Sequence, residues 1–179
     1  MAANAVTNSV NGLILIPGNA LVIAATTLTG QLIGKGQPKE AKKHLKFLVL
    51  AASAAMLVLS LIILPLLKLI IGLYTKDPDT ARLAYIVLVS SLIAQPLLWS
   101  ASFVMPGGLR GAGDVSFTMI VSIISMWVMR IVLGYIFAIV LQIGILGIWL
   151  SMYADWLFRS TFFALRIRGK KWLKKSVID

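Results

Sequence analysis

A chain with no cysteine, one histidine (His44) and six acidic residues has few ways to do chemistry. Thiolate nucleophiles, disulfides and histidine or cysteine metal clusters are excluded, so no metal site and no catalytic residues are expected. No Ser-Lys or paired-aspartate arrangement stands at matching depth, which makes an intramembrane enzyme the weakest reading. What remains are polar side chains set inside long apolar runs. There each costs free energy unless it is paired or wet, so each points to function.

Three constellations have that character. Arg130 and Asp155 lie equally far from the turn near residues 142 and 143, and Arg159 follows Asp155 by one helical turn. An antiparallel hairpin puts this guanidinium and carboxylate at one depth, with Arg159 as an i, i+4 partner; the result is a packing ion pair or a switch that re-pairs during transport. In the second, Ser91, Gln95 and Ser102 share a helical face beside Pro96, which removes a backbone donor. A kink there exposes carbonyls that, with the Gln95 amide, can coordinate a cation or a substrate; a packed proline kink is the alternative. In the third, Thr118, Ser122, Ser125 and Met129 form a stripe with Met119 and Met126 alongside. Soft Met beside small hydroxyls suits a pocket for varied apolar cations, and the same pattern also serves close helix packing.

The elements that must position these groups follow from composition. The chain of 179 residues is 59% hydrophobic and 13% charged, against about 45–50% and about 25% in soluble domains. Apolar runs long enough to cross a core of roughly 30 Å occupy residues 12–33, 47–73, 83–105, 115–141 and 143–165. The expected fold is therefore an all-α polytopic transmembrane bundle of five spans, with residues 166–179 as a basic tail. The lipid bilayer is its solvent. A net charge of +11 would suggest nucleic acid in a soluble chain, but so apolar a chain has no polar surface for it, and no nucleic-acid partner is expected.

The charge serves orientation instead. Lys35, Lys39, Lys42, Lys43, Lys46, Arg110 and the basic tail (Arg166, Arg168, Lys170, Lys171, Lys174, Lys175) fall on one side, and only Lys76 and Arg82 on the other. The positive-inside rule puts the tail in the cytoplasm and the amino terminus outside. Asp77-Pro78-Asp79 reads as an N-cap with Pro at the first helical position, and Pro38 opens the helix entering the second span. Lys68 is expected to snorkel, and His44 to be interfacial. The first span carries Pro17, Asn19, Thr26, Thr27 and Thr29, a polarity tolerated only where other helices cover it. Its partner helices are expected before Met1 or in another chain.

Two stretches carry more specific information. Ala24-Ala25-Thr26-Thr27-Leu28-Thr29-Gly30-Gln31-Leu32-Ile33-Gly34-Lys35-Gly36 resembles a helix end and basic loop of the multidrug and toxic compound extrusion (MATE) transporters. Leu109-Arg110-Gly111-Ala112-Gly113-Asp114, followed by Met119, Trp127, Arg130, Gly134-Tyr135, Gly147-Ile148-Trp149 and Asp155-Trp156, resembles the last two helices of that family. The resemblance covers nearly the whole chain and implies helices eight to twelve of a twelve-helix protein. It implies transport by alternating access, exporting organic cations or other amphipathic compounds against Na⁺ or H⁺, at the cell membrane. No other cofactor is implied. The acidic residues that couple transport in many relatives have no counterpart here; the span matching the tenth helix offers Gln95. Within the motif, Asp114 is expected to cap the next helix and face Arg110, while Gly111 and Gly113 permit a tight turn. The spacings Gly30 to Gly34 and Gly107 to Gly111 predict close backbone approach. The rival readings are a truncated or assembly subunit inactive alone, and a relative of the lipid-linked oligosaccharide flippases.

Overall fold

The computed structural model describes residues 2–169 and 171–174; Lys170 and Lys175 of the basic tail lie outside the described residues. All regular structure among them is helical. Five long helices run up and down: α1 (Ala2–Gly34), α2 (Pro38–Tyr74), α3 (Pro78–Gly111), α4 (Val115–Val140) and α5 (Ile145–Arg168), followed by a 3₁₀ turn, Lys171–Lys174.

Four of these, α1 to α4, are long and apolar enough to cross a membrane. α5, expected as the fifth span, has the length but a lower hydropathy, because Asp155, Arg159 and the paired aromatic residues interrupt its apolar run. The helices also extend past the apolar runs. α2 begins at Pro38, well before residue 47, since Pro is preorganised for a first turn and nothing in the basic stretch breaks the helix.

The punctuation is local. Asp77 caps α3, its side chain accepting from the Thr80 N–H at 3.0 Å, with Pro78 in the first turn. α1 and α3 end alike. Gly36 (φ +69°) and Gly113 (φ +84°) take the left-handed conformation that terminates a helix. In each case the following N–H bonds back, from Gln37 to the Leu32 carbonyl and from Asp114 to the Leu109 carbonyl, both at 2.9 Å.

α3 is the central helix, with 56% of its apolar window buried against 11% for α4. It crosses α1 where Gly107 faces the Val22 carbonyl, Gly111 faces the Thr26 backbone and Gly30 faces Gly111. The two backbones touch because no side chain stands between them, the usual device where lipid removes the hydrophobic drive for association. Gly34 meets nothing, so only three of the four spaced glycines make the expected approach. One cluster of buried side chains joins Ile14, Met56, Leu88, Trp99 and Trp156 within the bundle. A second joins Leu45, Val104, Leu109, Phe163, Ile167 and Trp172 at the basic end. There the chain turns at Gly169 and buries Trp172, which donates to the Ile167 carbonyl at 3.3 Å.

Candidate functional site

Asp155 is buried, and its carboxylate lies between two helices. Arg159, one turn along α5, donates from Nε at 3.0 Å, and Ser125 of α4 donates its hydroxyl to the same oxygen. The guanidinium also reaches the Ser122 carbonyl at 3.4 Å and stands 5.7 Å from the Phe103 ring centre. The second carboxylate oxygen, Oδ2, is buried without a partner.

Arg130 is not in this group. It is exposed, and among the described residues it makes no ion pair, so the expected Arg130–Asp155 clamp is corrected to Asp155–Arg159 with Ser125. Equal counting from the turn fails because α4 is wound as π-helix over Met126–Val132 and Ile136–Val140. An i→i+5 turn holds more residues per unit length than an α turn, so α4 spends more residues than α5 on the same depth. Ser125, five positions before Arg130, consequently meets Asp155.

The second constellation forms a polar triad. Ser91 and Gln95 are both buried and both donate to the Asn11 side-chain oxygen, at 2.9 Å from the Ser91 hydroxyl and 2.7 Å from the Gln95 amide nitrogen. The amide oxygen of Gln95 has no partner. Asn11 was missed by sequence reasoning because it precedes the apolar run; its signal was a polar side chain on the same helical face as Ile14, three residues before it. Ser102 leaves this face and donates to the Trp156 carbonyl on α5 at 2.5 Å. The cause is the π turn Gln95–Trp99 that Pro96 opens: one extra residue rotates everything after it by about 100°.

The third constellation lines a groove of about 370 Å³ formed by Thr118, Met119, Ser122 and Met126 with Arg110 and Arg159. Ser125 is buried beneath it, and the half-buried Met129 lies outside its lining. The expected pocket for apolar cations thus contains two guanidinium groups, and its electrostatics favour the opposite charge.

The motif turn is tied differently from expectation. Asp114 is buried at the start of α4, yet its carboxylate makes no cap. It accepts two hydrogen bonds from Arg166 of α5, at 2.6 and 3.1 Å, while Arg110 is exposed. The fork geometry of a guanidinium outcompetes a single backbone N–H, and the Asp114 hydrogen bonds hold the Arg166 pKa above its ordinary value. Gln31 is exposed at the end of α1. Lys42 donates to the Arg168 carbonyl at 3.2 Å, so the basic loop and the end of α5 meet.

Comparison with known proteins gives the arrangement its context. The MatE family model matches residues 1–136. A Bacillus subtilis protein named "Uncharacterized transporter YisQ" is 33% identical over 96% of this chain and 37% of its own length. A Thermotoga maritima protein named "Probable multidrug resistance protein NorM" is 28% identical over 95% of this chain and 36% of its length. A rabbit (Oryctolagus cuniculus) protein named "Multidrug and toxin extrusion protein 1" is 24% identical over 97% of this chain and 30% of its length. The chain therefore spans about a third of the length of the curated relatives it matches, 30% to 37% for these three. With a match over most of its residues and helices long and apolar enough for a bilayer, this membrane protein belongs to the MatE family.

Proposed function

We propose that the chain forms most of the C-terminal lobe of a multidrug-type transporter that exports organic cations or other amphipathic compounds, driven by inward flow of Na⁺ or H⁺. Membership of the family and the names of the relatives support the class of activity. The basic end, where Lys42, Arg110, Arg166 and Arg168 gather, faces the cytoplasm of a cell membrane, leaving the amino terminus outside. The remaining helices of the transporter cover the polar face of α1, where Asn19, Thr27 and Gln31 are exposed.

The observation that carries the pathway assignment is the triad of Asn11, Ser91 and Gln95. It holds a buried, unpartnered amide oxygen at a π turn in the central helix, and π turns within helices are frequent at functional sites. Ser122 and Met129 on α4 belong to the moving wall opposite α5, with Asp155 and Arg159 holding the hairpin together. The test is accumulation of ethidium by a pump-deficient host expressing the protein at its native length. Wild type lowers accumulation and Gln95→Leu restores it at unchanged membrane abundance. Equal accumulation with wild type and with empty vector contradicts the proposal.

A further inference from the structure

The groove between α3, α4 and α5 adjoins the wall proposed above through Ser122, and its chemistry is distinctive. Two cations converge on it. Arg110 closes α3 and makes no ion pair among the described residues; Arg159 gives Nε to Asp155 and Nη2 to the Ser122 carbonyl, leaving Nη1 without a partner among them. Asp155, buried behind Arg159, offsets one of the two charges, and no acidic residue lines the groove itself. Besides Thr118 and Ser122 its wall is apolar and open: Val115, Met119, Ile123 and Met126 are 49%, 55%, 47% and 40% exposed. At about 1.5 Å per residue Arg159 lies about 10 Å deeper than Arg166, so the groove runs from the basic end of the bundle into the apolar zone.

We infer that this groove binds an acidic phospholipid. The phosphate sits between Arg110 and Arg159, where it accepts from the Arg110 guanidinium fork and from the free Nη1 of Arg159, and an acyl chain lies along Met119, Ile123 and Met126. Adaptable Met side chains suit a chain of variable unsaturation. A zwitterionic lipid brings an ammonium group that the two arginines repel, so selectivity follows from charge. The lipid stitches the end of α3 to the α4–α5 hairpin, next to Ser125 and Asp155.

The test uses the native-length protein, delipidated in detergent and titrated with phosphatidylglycerol or phosphatidylcholine, with bound lipid counted by native mass spectrometry. Phosphatidylglycerol should be retained in preference, and Arg110→Gln should weaken its binding about fivefold, the value of one basic residue near an anionic headgroup. Lys43→Gln, at the same end but outside the groove, should leave it unchanged. Equal retention of the two lipids, or equal loss from both variants, overturns the proposal. So does displacement by millimolar inorganic phosphate, which identifies a simple anion site. Should Arg110→Gln fail to reach the membrane, Ile123→Trp fills the groove while keeping both arginines. Phosphatidylglycerol retention should then fall, and undiminished retention overturns the proposal by itself. Ethidium export by the wild type reconstituted in phosphatidylcholine alone separates failure here from failure of the transport reading.

Discussion

Asp155 has two arginines within reach of a sequence argument, and the one it takes decides how the hairpin of α4 and α5 is held. The buried carboxylate with Arg159 and Ser125 makes removal of the guanidinium costly, because it leaves a charge in the apolar interior. Arg159→Gln should destabilise the protein by about 3 kcal/mol. Arg130→Gln, on an exposed face, should stay within about 0.5 kcal/mol. Both are read from unfolding of the detergent-solubilised protein, and equal losses would restore Arg130 to the pair. At Gly111 an added Cβ runs into the Thr26 backbone, whereas at Gly34 it meets nothing. Gly111→Ala should therefore cost about 2 kcal/mol and Gly34→Ala little, measured in the same assay. Polar residues in apolar runs were legible in the sequence as special. Their partners were not, since pairing depends on helix rotation that spacing alone does not determine.

The elements themselves were the most legible feature, because a run of about 20 apolar residues matches the thickness of a hydrocarbon core and suits little else. Their internal defects were less so. Pro96 signals the π turn at Gln95–Trp99, but Met126–Val132 contains neither Pro nor Gly and gives no warning. That unseen winding is why Ser125 replaces Arg130 opposite Asp155. The start of α3 was readable from Asp77-Pro78, and it carries a pH dependence. Hydrogen bonds from Thr80 lower the Asp77 pKa, so the cap's contribution is complete above the ordinary carboxylate value and is lost as pH falls through the lowered folded value. Amide exchange in the first turn of α3, corrected for intrinsic rates, should accelerate in that acid window in wild type. Asp77→Asn should remove most of this acid dependence, and an unchanged profile would show that another group controls it.

For the whole molecule, what matters is that the basic end is tied by polar links between distant segments. Asp114–Arg166, Lys42 with the Arg168 carbonyl, and buried Trp172 join the two basic loops to the end of α5. Charge counting found this end, while the bidentate link was invisible because Asp114 and Arg166 are far apart in sequence. Asp114→Asn should lower stability by about 3 kcal/mol, with charge-swapped Asp114→Arg/Arg166→Asp recovering part of it, read from thermal aggregation in detergent. No recovery would mean that packing around Phe117 matters more than the pair. The transport proposed above belongs to the native-length protein and is measured there. The native-length protein, reconstituted in liposomes, is given an imposed Na⁺ or H⁺ gradient and the movement of ethidium is followed. Concentrative movement against one of the two gradients, diminished by Gln95→Leu, is the expected result. No ethidium movement above protein-free liposomes under either gradient would contradict it.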